Sequence, residues 1–274
     1  MLRPARFSRR SAAAAHARGR TPPSLPPLFT VRADDGFPIP VRRCLPEQKP
    51  HAVIVAVHGF RNHSGSFQRP ASAWAEDDVA TYAFDLRGFG AAGCGAPWPG
   101  GRRLYDDLRY VAAHARRKHR RVPLFVLGES MGAALLLAFA SEANYPDVAG
   151  TILVSPAVLG WQKLPSVTEP VLRALAGKMP GLTAHARSPR GLATDNKAVL
   201  AAMDEDPLVQ KRVRLDVLAG LIDLMNRALD NAEAIPQPAL ALVGARDRII
   251  PGWVRRDFVR RLGDRAVVRR YARG

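Results

Sequence analysis

The sequence is poor in cysteine and has no long apolar run. Only Cys44 and Cys94 are present, which is too few for a disulfide framework or a cysteine-ligated metal site. No stretch of about 18 or more residues is apolar throughout, so the sequence offers no candidate membrane span. These features are compatible with a reducing compartment. We expect a cytoplasmic protein that needs neither a cofactor nor a metal.

Acidic residues are scarce at both ends of the chain. Residues 1–32 hold seven Arg and no acid, and residues 245–274 hold ten Arg and three Asp, so each end contributes +7 to the net charge of +17. A nucleic-acid footprint instead places its basic residues on one face or one helix, interleaved with groups that read bases. We therefore expect no nucleic-acid partner, whereas peripheral contact with an anionic membrane stays open.

The first 27 residues are rich in Arg, Ala and Pro and hold no acid. Arg9-Arg10 followed by small residues resembles a twin-arginine signal only weakly, because the apolar segment after it is too short. An organelle transit peptide and a disordered leader both fit this composition. We expect a disordered leader over 1–27 and exclude it from the fold.

After residue 27, short β-branched runs alternate with stretches of helical spacing. His51–Val57 is typical of a strand buried on both faces, and Leu104–His119 places its apolar residues on one helical face. This alternation predicts an α/β fold with a mostly parallel central sheet and crossover helices, built from 28–156 and 236–274. Further strands are predicted at Pro27–Arg32, Ile39–Cys44, Ala80–Asp85, Thr151–Ser155, Pro238–Val243 and Ala266–Tyr271.

The alternation stops between residues 157 and 235. Prolines punctuate the first part of this segment, and an apolar helix face runs from Leu215 to Leu229. No strand is predicted there, so the segment is interpreted as a helical cap inserted into the sheet domain. One set of apolar residues either lines an acyl-binding face of this cap or simply packs against its neighbours: Trp161, Leu164, Leu172, Leu175 and Met179.

The pattern Gly128-Glu-Ser-Met-Gly132 lies between an apolar run and an apolar helical stretch. That order is typical of a nucleophile elbow, in which the serine occupies a strained strand-to-helix corner. Glycines at both ends of the motif let the strand and the helix approach closely. The helix N-terminus then favours negative charge that develops near the serine. The motif predicts that Ser130 is a nucleophile.

Three motifs occur in the order found in α/β-hydrolases: His58-Gly59-Phe60 with His63-Ser-Gly65, then Asp85-Leu-Arg-Gly-Phe-Gly90, then Gly128–Gly132. Together with Thr194-Asp-Asn196, Asp206-Pro-Leu208 and the segment Gly244–Pro251, they resemble the monoacylglycerol lipase and lysophospholipase branch of the serine aminopeptidase S33-like proteins. The resemblance extends from about Phe29 to the last residue. It implies an α/β-hydrolase with a helical cap that hydrolyses carboxylic esters of lipid-like alcohols, with a peptidase of the same fold as an alternative.

The resemblance also implies a role for individual residues. Ser130 attacks the carbonyl carbon and forms an acyl-enzyme. The backbone N–H groups of Phe60 and Met131 form the oxyanion hole. Asp247 orients a histidine and stabilises its protonated form; the alternative is a loop carboxylate paired with Arg246 or Arg248.

Three further polar residues of these motifs are expected to be structural. His58 braces the oxyanion loop, and Asp85 caps the turn made by Gly88 and Gly90. Glu129 either tunes the elbow or, as we expect, is an exposed or ion-paired carboxylate.

The histidines pose a difficulty, because all seven precede Asp247. The resembled family places its catalytic histidine after the last strand, in the pattern Tyr-x-x-Gly-x-His, of which Tyr271–Gly274 matches the beginning. We therefore expect this chain to lack the base and the helix that follows it, and to hydrolyse esters poorly. A noncatalytic member that binds acyl ligands is the second alternative. His63 is the upstream candidate for a base, in a geometry that the family does not use.

Overall fold

The computed structural model describes residues 27–179, 181–185, 194 and 196–272, so nearly all of the predicted leader lies outside the described residues. The main sheet contains β1 (Leu28–Arg32), β2 (Pro38–Cys44), β3 (Ala52–Val57), β4 (Val79–Phe84), β5 (Leu124–Glu129), β6 (Gly150–Val154), β9 (Ala239–Gly244) and β10 (Ala266–Tyr271). Their order across the sheet is β1-β2-β4-β3-β5-β6-β9-β10. Only β2 runs against the other strands of this sheet. The predicted mostly parallel sheet is confirmed.

Seven α-helices accompany the sheet in the described part of the chain: α1 (Gln68–Glu76), α2 (Gly101–Lys118), α3 (Met131–Ala138), α4 (Thr168–Lys178), α5 (Lys197–Glu205), α6 (Leu215–Asp230) and α7 (Gly252–Leu262). Within this part, no helix is both long enough and apolar enough to cross a membrane. Every residue of α3 is buried, as expected for a helix that is apolar on all sides.

The central strands are buried on both faces, which explains their unbroken apolar composition. In β3, Val53, Val55 and Val57 belong to the larger apolar core. Ile54 and Ala56 point to the opposite face and pack in a smaller cluster with Phe67 of the 3₁₀ turn Ser64–Phe67. Alternate side chains of one strand thus fill two cores.

The segment between β6 and β9 contains α4, α5 and α6, and it also contains two short strands. β7 (Thr183–His185) and β8 (Arg212–Arg214) pair antiparallel with each other, outside the main sheet. The expectation that 157–235 holds no strand is therefore wrong. Strands of three residues are too short to show an alternating pattern, and their pairing depends on residues distant in the sequence.

Helix α7 lies between β9 and β10 and was not predicted. Val254, Phe258 and Leu262 on it are buried, at a spacing of four residues that indicates one helical face. This helix is the crossover that lets β10 lie parallel to β9. The division of the chain into a core and a cap with boundaries at 157 and 235 stays a prediction.

Candidate active site

Ser130 lies directly between the end of β5 and the start of α3, with φ 51° and ψ −109°. A positive φ is strained for a residue with a Cβ atom, at a cost of about 1–3 kcal/mol. Backbone hydrogen bonds on both sides hold it there. The Ser130 N–H donates to the Val154 carbonyl at 2.9 Å, and the Ser130 carbonyl accepts from the N–H groups of Ala134 and Ala157 at 3.0 and 3.1 Å.

The two glycines of the motif allow this corner to close. A Cβ atom on Gly128 would lie 2.4 Å from the backbone nitrogen of Ala133. A Cβ atom on Gly132 would lie 2.2 Å from the carbonyl oxygen of Val57, at the end of β3. Such distances are far below van der Waals contact, so strand and helix can approach this closely only if both positions are glycine.

The loop after β3 lies against the serine. A Cβ atom built on Gly59 would contact the Ser130 Cβ at 3.4 Å, and Phe60 follows in the same loop. Met131 is the first residue of α3, where backbone N–H groups have no partner within the helix. Among the loop and turn contacts of the described residues, neither the Phe60 nor the Met131 N–H donates to a backbone carbonyl. Two segments that meet at Ser130 thus each carry an unpaired donor.

His58 is fully buried and braces this loop. Its Nε2 accepts the Leu86 N–H at 3.0 Å. Nε2 therefore carries no proton, and Nδ1–H donates to the Gly59 carbonyl at 2.8 Å. Burial lowers the pKa of His58 to about 4. The ring is neutral near pH 7, which agrees with a bracing role rather than with proton transfer.

His63 uses both of its ring nitrogens in structural contacts. Nδ1 accepts the Gly65 N–H at 3.1 Å, and Nε2 lies 2.9 Å from Oδ2 of Asp206. Burial raises the pKa of Asp206, but the hydrogen bonds from His63 and the Leu208 N–H outweigh it, so the net pKa lies below its ordinary value. His63 is therefore engaged with the inserted segment, and no described contact joins it to Ser130.

A second contact joins the same two parts of the chain. The Gln210 N–H donates to the Arg61 carbonyl at 2.9 Å, and the Arg61 Nε–H donates to the Gln210 carbonyl at 2.7 Å. Arg61 has a φ of 66°. We call residues 206–210 the docking segment, because its hydrogen bonds hold the insertion against the oxyanion loop. Sequence reasoning missed Gln210, which belongs to no motif.

Asp85 is buried and ties two loops together. Its Oδ2 accepts the Ala91 N–H at 2.8 Å, in the turn region where a cap was expected. Its Oδ1 accepts the Ser64 N–H at 2.7 Å, in the turn that follows the oxyanion loop. Asp85 therefore fixes the position of that loop as well as the glycine-rich turn after β4.

Glu129, directly before Ser130, differs from expectation. It is half-buried, and no ion pair joins it to another described residue. Burial raises the pKa of its carboxyl group. The expectation of an exposed or ion-paired carboxylate is therefore wrong, because the end of β5 is enclosed by its neighbours.

Asp247 lies in the loop after β9. Its Oδ1 accepts the N–H groups of Ile249 and Ile250 at 2.8 and 3.1 Å. Its Oδ2 is 3.8 Å from Nη1 of Arg255, so the arginine beside it belongs to α7 and is neither Arg246 nor Arg248. No described histidine side chain bonds to Asp247.

The apolar residues considered for an acyl-binding face are mainly near the surface. Leu175 and Met179 are 39% and 49% exposed, and α4 buries none of its residues. The Trp161 indole N–H donates to Oδ1 of Asp223 at 2.6 Å. Their part in binding an acyl chain stays a prediction.

Within the described residues, no group of three or more His, Cys, Asp or Glu side chains is placed to hold a metal ion. Cys44 and Cys94 are both free thiols.

The chain is similar to a known protein family and to known lipases. The family model described as serine aminopeptidase, S33, matches residues 48–274. A monoacylglycerol lipase of Mycolicibacterium smegmatis is 28% identical over 75% of this chain and 74% of its own length. A monoglyceride lipase of Mus musculus is 30% identical over 84% of this chain and 77% of its own length.

A solved structure shows the same fold. A soluble variant of the monoglyceride lipase of Saccharomyces cerevisiae, in complex with a substrate analogue, superimposes with a TM-score of 0.77 at 18% identity, covering 92% of this chain and 88% of that one. The family-model match extends over most of the chain and includes Ser130 and the loop of Asp247. The chain therefore belongs to the serine aminopeptidase S33 family of α/β-hydrolases, in its monoacylglycerol lipase and lysophospholipase branch.

Proposed function

We propose that this chain is a serine hydrolase of carboxylic esters, with monoacylglycerol- or lysophospholipid-like substrates. The observation that carries the proposal is the corner at Ser130, where a strained serine meets a loop and a helix N-terminus with unpaired N–H groups. The similarity to two lipases that act on monoglycerides supports the substrate class.

The proposed reaction begins when Ser130 Oγ attacks the ester carbonyl carbon and its proton passes to a base. The carbonyl oxygen becomes an oxyanion, which accepts hydrogen bonds from the Phe60 and Met131 N–H groups. Collapse of this intermediate breaks the ester C–O bond, and the alcohol leaves with the proton. Water then hydrolyses the acyl-enzyme by the same steps and releases the carboxylic acid.

Asp247 is proposed as the acid that orients the base. Oδ1 is occupied by two backbone N–H groups, whereas Oδ2 has only the Arg255 guanidinium at 3.8 Å. Oδ2 is therefore the oxygen available to an imidazole N–H. Since no described histidine bonds to Asp247, we propose that Ser130 reacts slowly until an imidazole is supplied. The same observation favours a second candidate function, noncatalytic binding of acyl ligands.

Hydrolysis of p-nitrophenyl butyrate, measured with and without added imidazole, tests the proposal. Imidazole also hydrolyses the ester in solution. Subtracting the rate of the Ser130→Ala variant from the rate of the unmodified chain removes this contribution. We expect a low Ser130-dependent rate that rises with imidazole concentration. A Ser130-dependent rate of zero at all imidazole concentrations would contradict the hydrolase and favour the acyl-binding alternative.

We also propose a cytoplasmic protein that touches membrane surfaces. Apolar residues of α4 and its flanks are exposed at a spacing of four: Val167, Val171, Leu175 and Met179. Such a stripe is suited to the interface of a lipid bilayer, and the net charge of +17 favours anionic lipid. Co-sedimentation with anionic and neutral vesicles tests this, and binding unchanged by Val171→Ser with Leu175→Ser would contradict it.

A further inference from the structure

Gln210 is buried to 97% of its surface, yet both ends of its carboxamide lack a partner. Its exposed fraction is 3%, and neither Nε2 nor Oε1 forms a hydrogen bond in the described part of the chain. Burial of an unpaired donor and an unpaired acceptor is unfavourable, and native proteins rarely tolerate it. In each other described residue that has such an atom, only one buried polar side-chain atom lacks a partner, whereas Gln210 has two.

The backbone of Gln210, by contrast, is fully used at the oxyanion loop. Its N–H and its carbonyl both bond to Arg61, which directly follows Phe60, a proposed oxyanion donor. The nearby pair His63–Asp206 fixes the start of the same docking segment. The backbone of Gln210 is therefore held against the residue that follows Phe60, which brings the docking segment to the proposed oxyanion loop.

A carboxamide with both ends free matches a ligand group that both donates and accepts. An alcohol hydroxyl does both, donating to Oε1 while it accepts from Nε2–H, whereas a hydrocarbon or an ether oxygen cannot donate. Buried polar groups without a hydrogen-bond partner are frequently found at functional sites, where the ligand is the missing partner. We propose that Gln210 recognises a free hydroxyl on the alcohol portion of the ester, so that polyol esters are preferred over esters of simple alcohols.

This inference rests on the proposed function and names the substrate feature that the site reads. It makes two predictions for Gln210→Leu, which removes both polar ends at similar volume. Without ligand, the variant should melt about 2–4 °C higher, because an unsatisfied buried group is gone. With ligand, it should lose the preference for hydroxyl groups. If Gln210 only filled space, its replacement would not change both the melting temperature and the preference for hydroxyl groups.

The matched control is Tyr105→Phe. The Tyr105 hydroxyl is also buried without a partner, but its ring stacks on Phe139 at 4.4 Å in the core. This variant should also melt higher, without any change in ligand preference.

The test measures binding by calorimetry, so it does not depend on turnover. The probes are 1-O-hexylglycerol and hexyl propyl ether, which share one skeleton and differ only in two hydroxyl groups. We expect the unmodified chain and Tyr105→Phe to bind the glycerol ether about 5- to 10-fold more tightly, the size of one or two neutral hydrogen bonds. Gln210→Leu should bind the two probes equally.

Three results would overturn the inference. If Gln210→Leu keeps the preference, or melts lower than the unmodified chain, its carboxamide has another partner. If the unmodified chain binds both ethers equally, hydroxyl recognition is wrong while the proposed acyl-ester function stands. If it binds neither, the proposed lipid-like substrate is wrong as well.

Discussion

The nucleophile corner and the acid loop follow two strands of one sheet, yet they are built in opposite ways. Ser130 is fixed by backbone hydrogen bonds to β6 and to its own helix, between glycines that admit no side chain. Asp247 lies in a loop whose neighbours Arg246, Arg248 and Ile249 are exposed. The difference teaches that backbone contacts fix the position of the proposed nucleophile, whereas the proposed acid would act only through a partner side chain.

The largest effect is expected at the corner. Gly132→Ala places a methyl group 2.2 Å from the Val57 carbonyl oxygen, so β3 and α3 must separate. We expect a loss of more than about 4 kcal/mol in the free energy of unfolding, or no folded protein. Urea denaturation followed by circular dichroism measures it.

Gly177→Ala is the matched control for that change. Outside its chain neighbours and the nearby backbone of its own helix, no atom lies within 4 Å of the Cβ position at Gly177. Alanine is also the better helix former, so stability should rise by about 0.5–1 kcal/mol. If both variants lost the same free energy of unfolding, the close approach of β3 and α3 at the corner would not explain the loss in Gly132→Ala.

The second effect is pH dependence from His58, which braces the oxyanion loop. Its pKa is about 4 in the folded chain and 6.5 ordinarily, so the unfolded chain binds the proton first as pH falls. His58 should therefore lower the stability by about 3 kcal/mol between about pH 6.5 and pH 4, and its contribution is fully present above pH 6.5. Burial also lowers the pKa of His114 and His119, which adds to the decrease in the same direction. Melting temperatures across this range measure it.

The effect of His58 on stability can be separated from that of Asp206. Asp206 has a lowered pKa, so its contribution is lost below about pH 4 and falls outside this window. In His58→Gln, the slope between pH 6.5 and pH 4 should flatten. An NMR titration of the unmodified chain needs no variant. It would contradict the account if the His58 ring protonated near pH 6.5.

The sequence was informative where a structure depends on near neighbours. The β-branched run of β3 and the glycines around Ser130 act within a few residues, so both the parallel sheet and the position of the serine between a strand and a helix were predictable. The spacing of Val254, Phe258 and Leu262 carried the same kind of information for α7, although that helix was not predicted.

Contacts between distant parts of the chain were not predictable in this way. Arg61 and Gln210 are 149 positions apart, and the strands β7 and β8 are each only three residues long. No local pattern indicates such pairs, because their stability comes from tertiary packing. Arg255 beside Asp247 was missed for the same reason, since it depends on where α7 packs.

The smallest effect on stability is expected at the acid loop. Asp247→Asn keeps an oxygen for the two loop N–H groups and loses only a charge 3.8 Å from Arg255. We expect a change below about 1 kcal/mol in the free energy of unfolding. The acceleration of p-nitrophenyl butyrate hydrolysis by imidazole should fall at least about 10-fold, because the orienting carboxylate is gone. Undiminished acceleration would remove Asp247 from the proposed mechanism.

The central claim is that the fold alone prepares Ser130 as the nucleophile, and labelling with a fluorophosphonate tests it most directly. Ser130 has no hydrogen bond from its hydroxyl to any described residue. Apart from the supplied imidazole, its reactivity must therefore come from the corner and from the N–H groups of Phe60 and Met131. After incubation with imidazole, peptide mapping by mass spectrometry should find one adduct, on Ser130, formed in the folded chain and absent after urea denaturation. An adduct on a different serine, or equal labelling of Ser130 in the folded and unfolded chains, would contradict the claim.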